Sequence, residues 1–378
     1  MGARPNMRGI VPTIARPVLA ALLCLAALSG PWPRAAAMAA GGIGPPAELG
    51  VRQVNAYLTV RTYAAPDGAA LAAYAIAGPP ARPAGGDRAF ASEPAPVPGG
   101  KVLAVPAYDW VFGCSAVSAA MIAGYYDRSG YPAMYAGPAG GGVAPLDNSP
   151  WPTWSDGFET YPSLPLAATR QGVDGRTTPG SIDDYWICYL NGALDPYIGL
   201  RTQHAWGEAV GDYMKTSQSA WGNNDGATTF HVKGESSAER LTCDEMAWYG
   251  LDDTDGTYGR KLFYEARGYA VGACYSQNTD NVAALGFSYA KYASEIDAGR
   301  PVMLNLEGHT VVGVGYDGSG CTIYIHDTWD YGIHTMYWGG SYAGMAMLCA
   351  SIVNLATPPV PPATGRSPAS WLPLLLEE

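Results

Sequence analysis

Three residues of the types that act in acyl transfer occur in the order cysteine, histidine, aspartate: Cys114, His309 and Asp327. A thiolate attacks a carbonyl carbon, an imidazole moves the proton, and a carboxylate orients the imidazole. Asp330 is a second candidate for the third role. Each residue also has a structural interpretation: a buried free cysteine, a strand-edge histidine bonded to the backbone, and a turn-capping aspartate.

Cys114 lies where a loop is expected to turn into a helix. Ser115 is an acceptable N-cap residue. Four residues recur at helical spacing and predict one buried face: Val117, Ala120, Met121 and Gly124. A cysteine at a helix N-terminus is near the positive end of the helix dipole, which lowers the thiol pKa towards the reactive thiolate.

The histidine and the aspartate are expected on neighbouring strands. His309 opens a strand-like run over 309–316, and Asp327 follows a second run over 322–326. A helix over 288–298, capped by Ser288 and stopped by Gly299, precedes a strand over 302–306. The order indicates an antiparallel meander, and helices early with strands late predict an α+β fold.

The termini differ from the middle of the chain in composition. Residues 1–40 have the pattern of a secretory signal peptide, with arginines before a short apolar run and small residues at the cleavage region. Residues 41–100, rich in Ala, Gly and Pro, are interpreted as a pro-segment or linker, with possible short strands at 58–60 and 71–76. The compact domain is predicted to span 101–356, and 357–378 to form a disordered Pro-rich tail.

Charge and cysteine content exclude several classes of function. The net charge of the 378-residue chain is −11, and about −15 without the signal segment, so nucleic acid is a poor partner. The mature form has no predicted membrane span. Of the seven cysteines, those left after Cys24 and Cys114 allow up to two disulfides with no readable pairing. No cofactor or metal site is predicted, although calcium near Asp253 and Asp255 stays open.

The sequence resembles the papain-like cysteine peptidases, and more narrowly the secreted bacterial family-39-like group related to bacteriocin leader-processing peptidases. The likeness covers roughly residues 105–350. It is carried by WVFGCS (110–115) with MIAGYYD (121–127), GDYMKTSQ (211–218), EIDAGRPV (295–302) with EGHT (307–310), and HDTWD (326–330) with HTM (334–336) and WGG (338–340).

The resemblance implies a two-lobed fold, with the cysteine on a helical lobe and the histidine on a β lobe. It implies that Cys114 is the nucleophile, His309 the general base and acid, and Asp327 the orienting group. Papain-like enzymes also place a Gln a few residues before the cysteine to help bind the oxyanion, but Tyr108 and Trp110 lie in this stretch. The backbone N–H of Cys114 remains a donor, and the second donor is not evident from the sequence.

The favoured function is a secreted, extracellular or periplasmic cysteine peptidase acting on a peptide or protein substrate. Two other classes stay open. One is a catalytically silent extracellular binding module with the same fold, motivated by the missing Gln and the Tyr- and Gly-rich loops. The other is a transglutaminase-like acyl transferase, which also has Cys, His and Asp in this order. The sequence does not indicate the oligomeric state.

Overall fold

The computed structural model describes residues 42–79, 81–83, 99–111, 113–135, 137, 139–151, 153–155, 160–168, 209–218, 221–223 and 226–356. The predicted signal segment, the predicted tail and Cys188 lie outside these residues. The description below refers to this part of the chain.

Five α-helices and fifteen strands are described. The helices are α1 (Cys114–Arg128), α2 (Val210–Tyr213), α3 (Cys243–Trp248), α4 (Gly256–Ala266) and α5 (Tyr289–Asp297). The strands are β1 (Ala47–Asn55), β2 (Leu58–Ala64), β3 (Ala70–Ile76), β4 (Lys101–Val102), β5 (Trp154–Ser155), β6 (Thr160–Tyr161), β7 (Thr228–Val232), β8 (Leu241–Thr242), β9 (Val271–Asn278), β10 (Val302–Leu306), β11 (His309–Tyr316), β12 (Thr322–His326), β13 (His334–Tyr337), β14 (Ser341–Tyr342) and β15 (Met345–Leu355).

Two antiparallel sheets form most of the β structure. The larger has the order β13-β12-β11-β10-β15-β9-β8, with β14 on β15 and β4 on β11. The smaller has the order β1-β2-β3-β7, and β5 pairs with β6 apart from both sheets. The predicted meander is confirmed as β10-β11-β12, which continues to β13, and the chain is α+β as the sequence indicates.

Helix α1 is more deeply buried than its sequence pattern predicts. Along its 15 residues only Tyr125 is partly exposed and only Arg128 fully exposed. The helix contacts β11 and β10, and its small residues allow close approach from every side. A helix that is apolar all round belongs in a core. The N-terminus of α1 is therefore held rigidly against the sheet.

The helix before the meander forms as its capping residues predict. The Ser288 hydroxyl accepts a hydrogen bond from the Lys291 N–H, and Gly299 follows the last turn with φ +75°. Tyr292 and Ile296 are buried on the face towards the sheet. The Tyr292 hydroxyl donates to the Gly315 carbonyl on β11 at 2.7 Å, so α5 fixes the far side of the histidine-bearing strand.

The segment interpreted as a pro-segment or linker contains three strands, β1 to β3, and one of them pairs with the region after residue 101. Strand β3 pairs with β7 over five residue pairs, from Ala72↔Val232 to Ile76↔Thr228. Leu58 and Leu71 are each 1% exposed. The partner strand lies about 150 residues downstream, and a pairing over that distance has no local sequence signal.

One disulfide, Cys243–Cys274, joins the start of α3 to β9. Among the described residues Cys114, Cys321 and Cys349 are free. In this same part of the chain, no helix combines the length and apolar character needed to cross a membrane.

Candidate active site

The thiol of Cys114 lies at the first residue of α1. The N-cap is Gly113, with φ 136°, rather than Ser115 as the sequence suggests, and no side chain caps the helix. A Cβ at Gly113 would collide with the Gly226 carbonyl. Glycine therefore allows the chain to enter the helix next to that loop, and the first N–H groups of the helix face the thiol region without partners inside the helix.

A polar network ties this first turn to β11. The Thr310 N–H donates to Sγ of Cys114 at 3.2 Å. The Thr310 hydroxyl lies 2.7 Å from the Ser115 hydroxyl and donates to Oδ1 of Asn305 at 2.9 Å. Ser118 donates to the Thr310 carbonyl at 3.1 Å. Because His309 precedes Thr310, the network places the imidazole and the thiol side by side.

The two ring nitrogens of His309 have different surroundings. Nε2 lies 2.7 Å from the backbone carbonyl of Asp327. A carbonyl only accepts, so Nε2 carries the proton and Nδ1 of the neutral ring carries the lone pair. Nδ1 is buried and has no hydrogen-bond partner among the described residues. The imidazole thus presents an unused proton acceptor.

That acceptor and the thiol face the same point. A Cβ added to Gly78, which has φ +35°, would overlap Sγ of Cys114 and lie 3.0 Å from Nδ1 of His309. Sγ and Nδ1 are therefore no more than about 5 Å apart, a separation that can tighten to a hydrogen bond when substrate binds. The predicted nucleophile and base are brought together, with Gly78 against both.

The backbone carbonyl of Asp327 contacts the His309 ring. The sequence predicts that the Asp327 carboxylate makes this contact. The carboxylate Oδ1 accepts from the Trp329 N–H at 3.0 Å, an Asx-turn made possible by Thr328 at φ 66°. Oδ2 accepts from the Tyr342 hydroxyl at 2.7 Å and pairs with Arg82 at 2.5 Å. The turn directs the carboxylate away from the imidazole and leaves the carbonyl to face it.

Residues 77–79 and 81–83, here called the covering segment, lie over the cysteine and histidine. The Gly78 N–H donates to the Gly308 carbonyl at 3.1 Å. The indole N–H of Trp329 donates to the Pro79 carbonyl at 2.8 Å, and its ring stacks on His309 at 4.0 Å between centroids. Arg82 anchors the other end of the segment on Asp327. Both Cys114 and His309 are fully buried beneath it.

Burial determines the protonation state of the pair in this structure. Loss of water raises the pKa of Cys114 to about 11, although the Thr310 N–H partly offsets it. Burial also lowers the pKa of His309 to about 4, against the opposing effect of its bond to the Asp327 carbonyl. The helix N-terminus alone predicts a lowered thiol pKa, but desolvation is larger here. The covered pair is a neutral thiol beside a neutral imidazole.

The Asp327 carboxylate stays ionised in spite of its burial. Desolvation favours the neutral acid, but the electrostatic interaction with His334 and the bonds from Tyr342, Arg82 and the Trp329 N–H outweigh it and lower the pKa of Asp327. Asp330, the rival orienting residue, does not contact His309 but accepts from His334 Nε2 at 2.8 Å. His334 therefore belongs to the carboxylate cluster and not to the thiol.

Among the described residues, Asp327, Asp330 and His334 form one group with metal-ligand spacing. The Arg82 guanidinium already lies against both carboxylates, at 2.5 and 3.9 Å. Asp255, considered for calcium, caps α4 through the Tyr258 N–H and accepts from the His231 N–H and ring. Its oxygens have protein partners, and the expectation of no metal site stays a prediction.

Several contacts of this site have no distinct sequence signal. The exception is the pair of serines at 115 and 118, whose spacing in an Ala-rich helix indicates a polar contact with one neighbouring strand. Trp110, Trp329 and Arg82 are not distinguished from ordinary core or surface residues by type. The contacts of Trp110 and Trp329 with the covering segment, and that of Arg82 with Asp327, depend on the path of the chain between β3 and β4.

Residues 216–343, about a third of the chain, match the model of the Peptidase_C39 like family. The matched range contains His309 and Asp327, whereas Cys114 precedes it. No curated protein and no solved structure matches the chain. The match supports a relation to the C39-like cysteine peptidases over this range.

Proposed function

We propose that this protein is a cysteine peptidase that hydrolyses peptide bonds through Cys114 and His309, with the Asp327 carbonyl orienting the imidazole. The supporting observation is the buried, unpartnered Nδ1 of His309 next to Sγ of Cys114. A buried acceptor without a hydrogen-bond donor costs folding free energy, so its presence favours a role in which a donor reaches it. The thiol proton is that donor in a transfer from Sγ to Nδ1.

In the proposed reaction, Sγ forms a bond to the carbonyl carbon of the substrate as its proton moves to Nδ1. The tetrahedral intermediate collapses with cleavage of the C–N bond, and Nδ1–H protonates the leaving amine. A water then attacks the thioester, gives its proton to Nδ1, and releases the carboxylic acid and the thiol. Throughout the reaction the His309 Nε2–H remains hydrogen-bonded to the Asp327 carbonyl, which keeps the proton on Nε2 and leaves Nδ1 to exchange protons.

Substrate reaches the thiol only when the covering segment moves. Its departure also admits water to the site, which removes the desolvation that raises the thiol pKa and lowers the imidazole pKa. We infer that the uncovered pair shifts towards thiolate and imidazolium, supported at Cys114 by the helix N-terminus and the Thr310 N–H.

We further propose a two-lobed, papain-like arrangement and a secreted location. Cys114 on a helix and His309 on a β-meander support the former. The Cys243–Cys274 disulfide supports the latter, since disulfides persist in oxidising compartments. The signal-like segment at 1–40 is consistent with such a location.

A pair of buried cysteines provides the test. Cys114→Ala and Cys349→Ala are assayed with a diverse peptide library under mild reducing conditions, each with and without Arg82→Ala to loosen the covering segment. We expect Cys114→Ala to abolish hydrolysis and Cys349→Ala to retain it within about threefold. Hydrolysis that survives Cys114→Ala would contradict the proposal.

Two other outcomes identify the alternatives. A wild-type chain that binds peptides without cleaving them, with the same affinity in Cys114→Ala, indicates a silent binding module. Amine incorporation without hydrolysis indicates a transferase.

A further inference from the structure

Acyl transfer by a thiol requires two donors for the oxygen that becomes negatively charged. One is available at the start of α1, where the Cys114 N–H has no partner within the helix and lies at the positive end of its dipole. The second is not provided by a glutamine upstream of the cysteine. The structure contains a different N–H donor, whose acceptor is the carbonyl of a residue packed against the thiol.

One residue of the chain itself, Gly78, lies against the nucleophile and indicates a candidate for that donor. Because an added Gly78 Cβ would overlap Sγ of Cys114, the Gly78 Cα is within about 3.5 Å of the sulfur. The carbonyl oxygen of the same residue accepts a hydrogen bond from Nε1 of Trp110 at 2.9 Å. A residue of this chain thus packs against the thiol while its carbonyl is bonded to the Trp110 indole.

We propose that the indole N–H of Trp110 is the second oxyanion donor. The inference rests on the proposed peptidase function and adds a catalytic residue to it. Trp110 is 8% exposed and precedes the nucleophile by four residues, so its ring is held by the core next to the helix start. When substrate replaces Gly78, its acyl oxygen receives the Trp110 N–H, and the bond strengthens as the oxygen becomes negative.

An indole suits this role for a chemical reason. Its nitrogen donates only, it does not ionise near neutral pH, and a ring packed in the core needs no reorganisation during the reaction. The competing explanation is that Trp110 only anchors the covering segment. The two roles predict opposite results, because loss of an anchor uncovers the thiol and raises activity, whereas loss of an oxyanion donor lowers it.

The test replaces Trp110 by Phe, which keeps an aromatic ring and removes the N–H. The matched control is Trp338→Phe, since Trp338 is also a buried indole that donates to an oxygen, Oδ1 of Asp280 at 2.8 Å. Both are assayed with and without Arg82→Ala. We expect Trp110→Phe to lower kcat by about 10²- to 10³-fold with KM changed less than about threefold, and the control to retain kcat.

Two reagents separate this role from a loss of nucleophilicity. A peptide aldehyde adds to Cys114 as a hemithioacetal whose oxygen takes the position of the oxyanion, whereas iodoacetamide leaves no oxygen on the carbon bonded to sulfur. Trp110→Phe is expected to weaken aldehyde inhibition by a factor similar to that in kcat and to leave the iodoacetamide rate undiminished. Where Trp110→Phe folds poorly, the benzothiophene analogue of Trp keeps both rings without the N–H.

An unchanged or increased kcat in Trp110→Phe overturns the assignment and leaves Trp110 as an anchor. An equal loss of alkylation and hydrolysis also overturns it. A wild-type chain that neither hydrolyses peptides nor binds the aldehyde overturns the proposed function as well, so the two failures are distinguishable.

Discussion

Cys114 and Cys349 are both free and fully buried, and burial raises the pKa of both thiols, to about 11 and about 12. They are even linked through one side chain. Asn305 accepts from Thr310, which donates to Sγ of Cys114, and its amide approaches Sγ of Cys349 at 3.5 Å. Burial and pKa alone therefore do not distinguish the two sulfurs.

The difference lies in what surrounds each thiol. Cys349 is in the middle of β15, between β10 and β9, and main-chain ladders enclose it on both sides. Cys114 begins a helix, has an imidazole lone pair nearby, and is covered by a segment without strand pairing. The two thiols therefore differ in their neighbouring groups and in the structure that covers them, and these features distinguish the candidate nucleophile.

The largest expected effect follows from adding one carbon to the covering segment. Gly78→Ala places a Cβ against Sγ of Cys114, so the segment must leave. Overpacking costs about 1–3 kcal/mol, which increases the open population by about 5- to 160-fold. Iodoacetamide labelling with peptide mapping should show Cys114 reacting faster by that factor and Cys349 unchanged.

The matched control for this substitution is Gly68→Ala, in the turn between β2 and β3. Gly68 also has positive φ, +85°, but open space around its Cβ position. It should leave Cys114 labelling unchanged. Equal acceleration of both cysteines in Gly78→Ala would indicate global unfolding and remove the distinction between them.

Acid should weaken the Cys114 region selectively. The pKa of His309 is about 4 in the folded chain against 6.5 for an ordinary imidazole. The preference of the folded chain for neutral His309 therefore adds its full amount to the free energy of unfolding above pH 6.5. This contribution is lost as the pH falls towards 4. Between pH 7.5 and pH 5 the His309 contribution to the free energy of unfolding falls by about 2 kcal/mol.

Denaturant unfolding of wild type and His309→Gln at the two pH values measures this contribution, since other titrating groups cancel in the difference. Cys349→Ala serves as the control, because the difference in unfolding free energy between this variant and wild type should be the same at both pH values. A wild-type advantage over His309→Gln that stays constant with pH would contradict a buried neutral imidazole.

Removing the ionic anchor should have an intermediate effect. Arg82→Ala deletes the bonds to Asp327 and Tyr342. A charged hydrogen bond contributes about 1.5–3 kcal/mol, reduced here by partial exposure, so Cys114 labelling should increase about tenfold. Arg61→Ala removes an exposed ion pair on β2 and should change nothing. No acceleration in Arg82→Ala would show that the segment is held by other contacts.

The smallest effect is expected at the second thiol. Cys349→Ala leaves a small cavity and removes the partner of the Asn305 amide, which should lower the free energy of unfolding by about 1 kcal/mol. Cys114 labelling should stay the same. A changed labelling rate would mean that Asn305 transmits the loss to Thr310, and the two regions would then have to be treated as one.

The sequence predicts the local parts of this molecule well. The helix at Cys114, the strands around His309 and the cap at Ser288 follow from spacing and residue type, because their signals lie within a few residues. Asp327 is predicted next to His309 but with the wrong atom. Whether its carbonyl or carboxylate faces the ring depends on the backbone angle of Thr328, which residue type does not determine.

Long-range contacts are the part that sequence patterns do not reveal. The pairing of β3 with β7 and the position of Gly78 on Cys114 join residues that are far apart in the chain. The direction of the thiol pKa also depends on that covering contact and not on the helix terminus. The same contact revealed Trp110 as a donor, whereas the sequence showed only that glutamine is missing.

The covering segment is held by chain connectivity on both sides. Strand β3 before it belongs to the smaller sheet, and β4 after it pairs with β11 of the larger sheet. Even when displaced, it remains an intramolecular competitor at an effective concentration on the order of millimolar. A soluble peptide must therefore bind the site much more tightly than the covering segment does, or be present at a local concentration above this value. The site thus favours a peptide held at high local concentration over a dilute one.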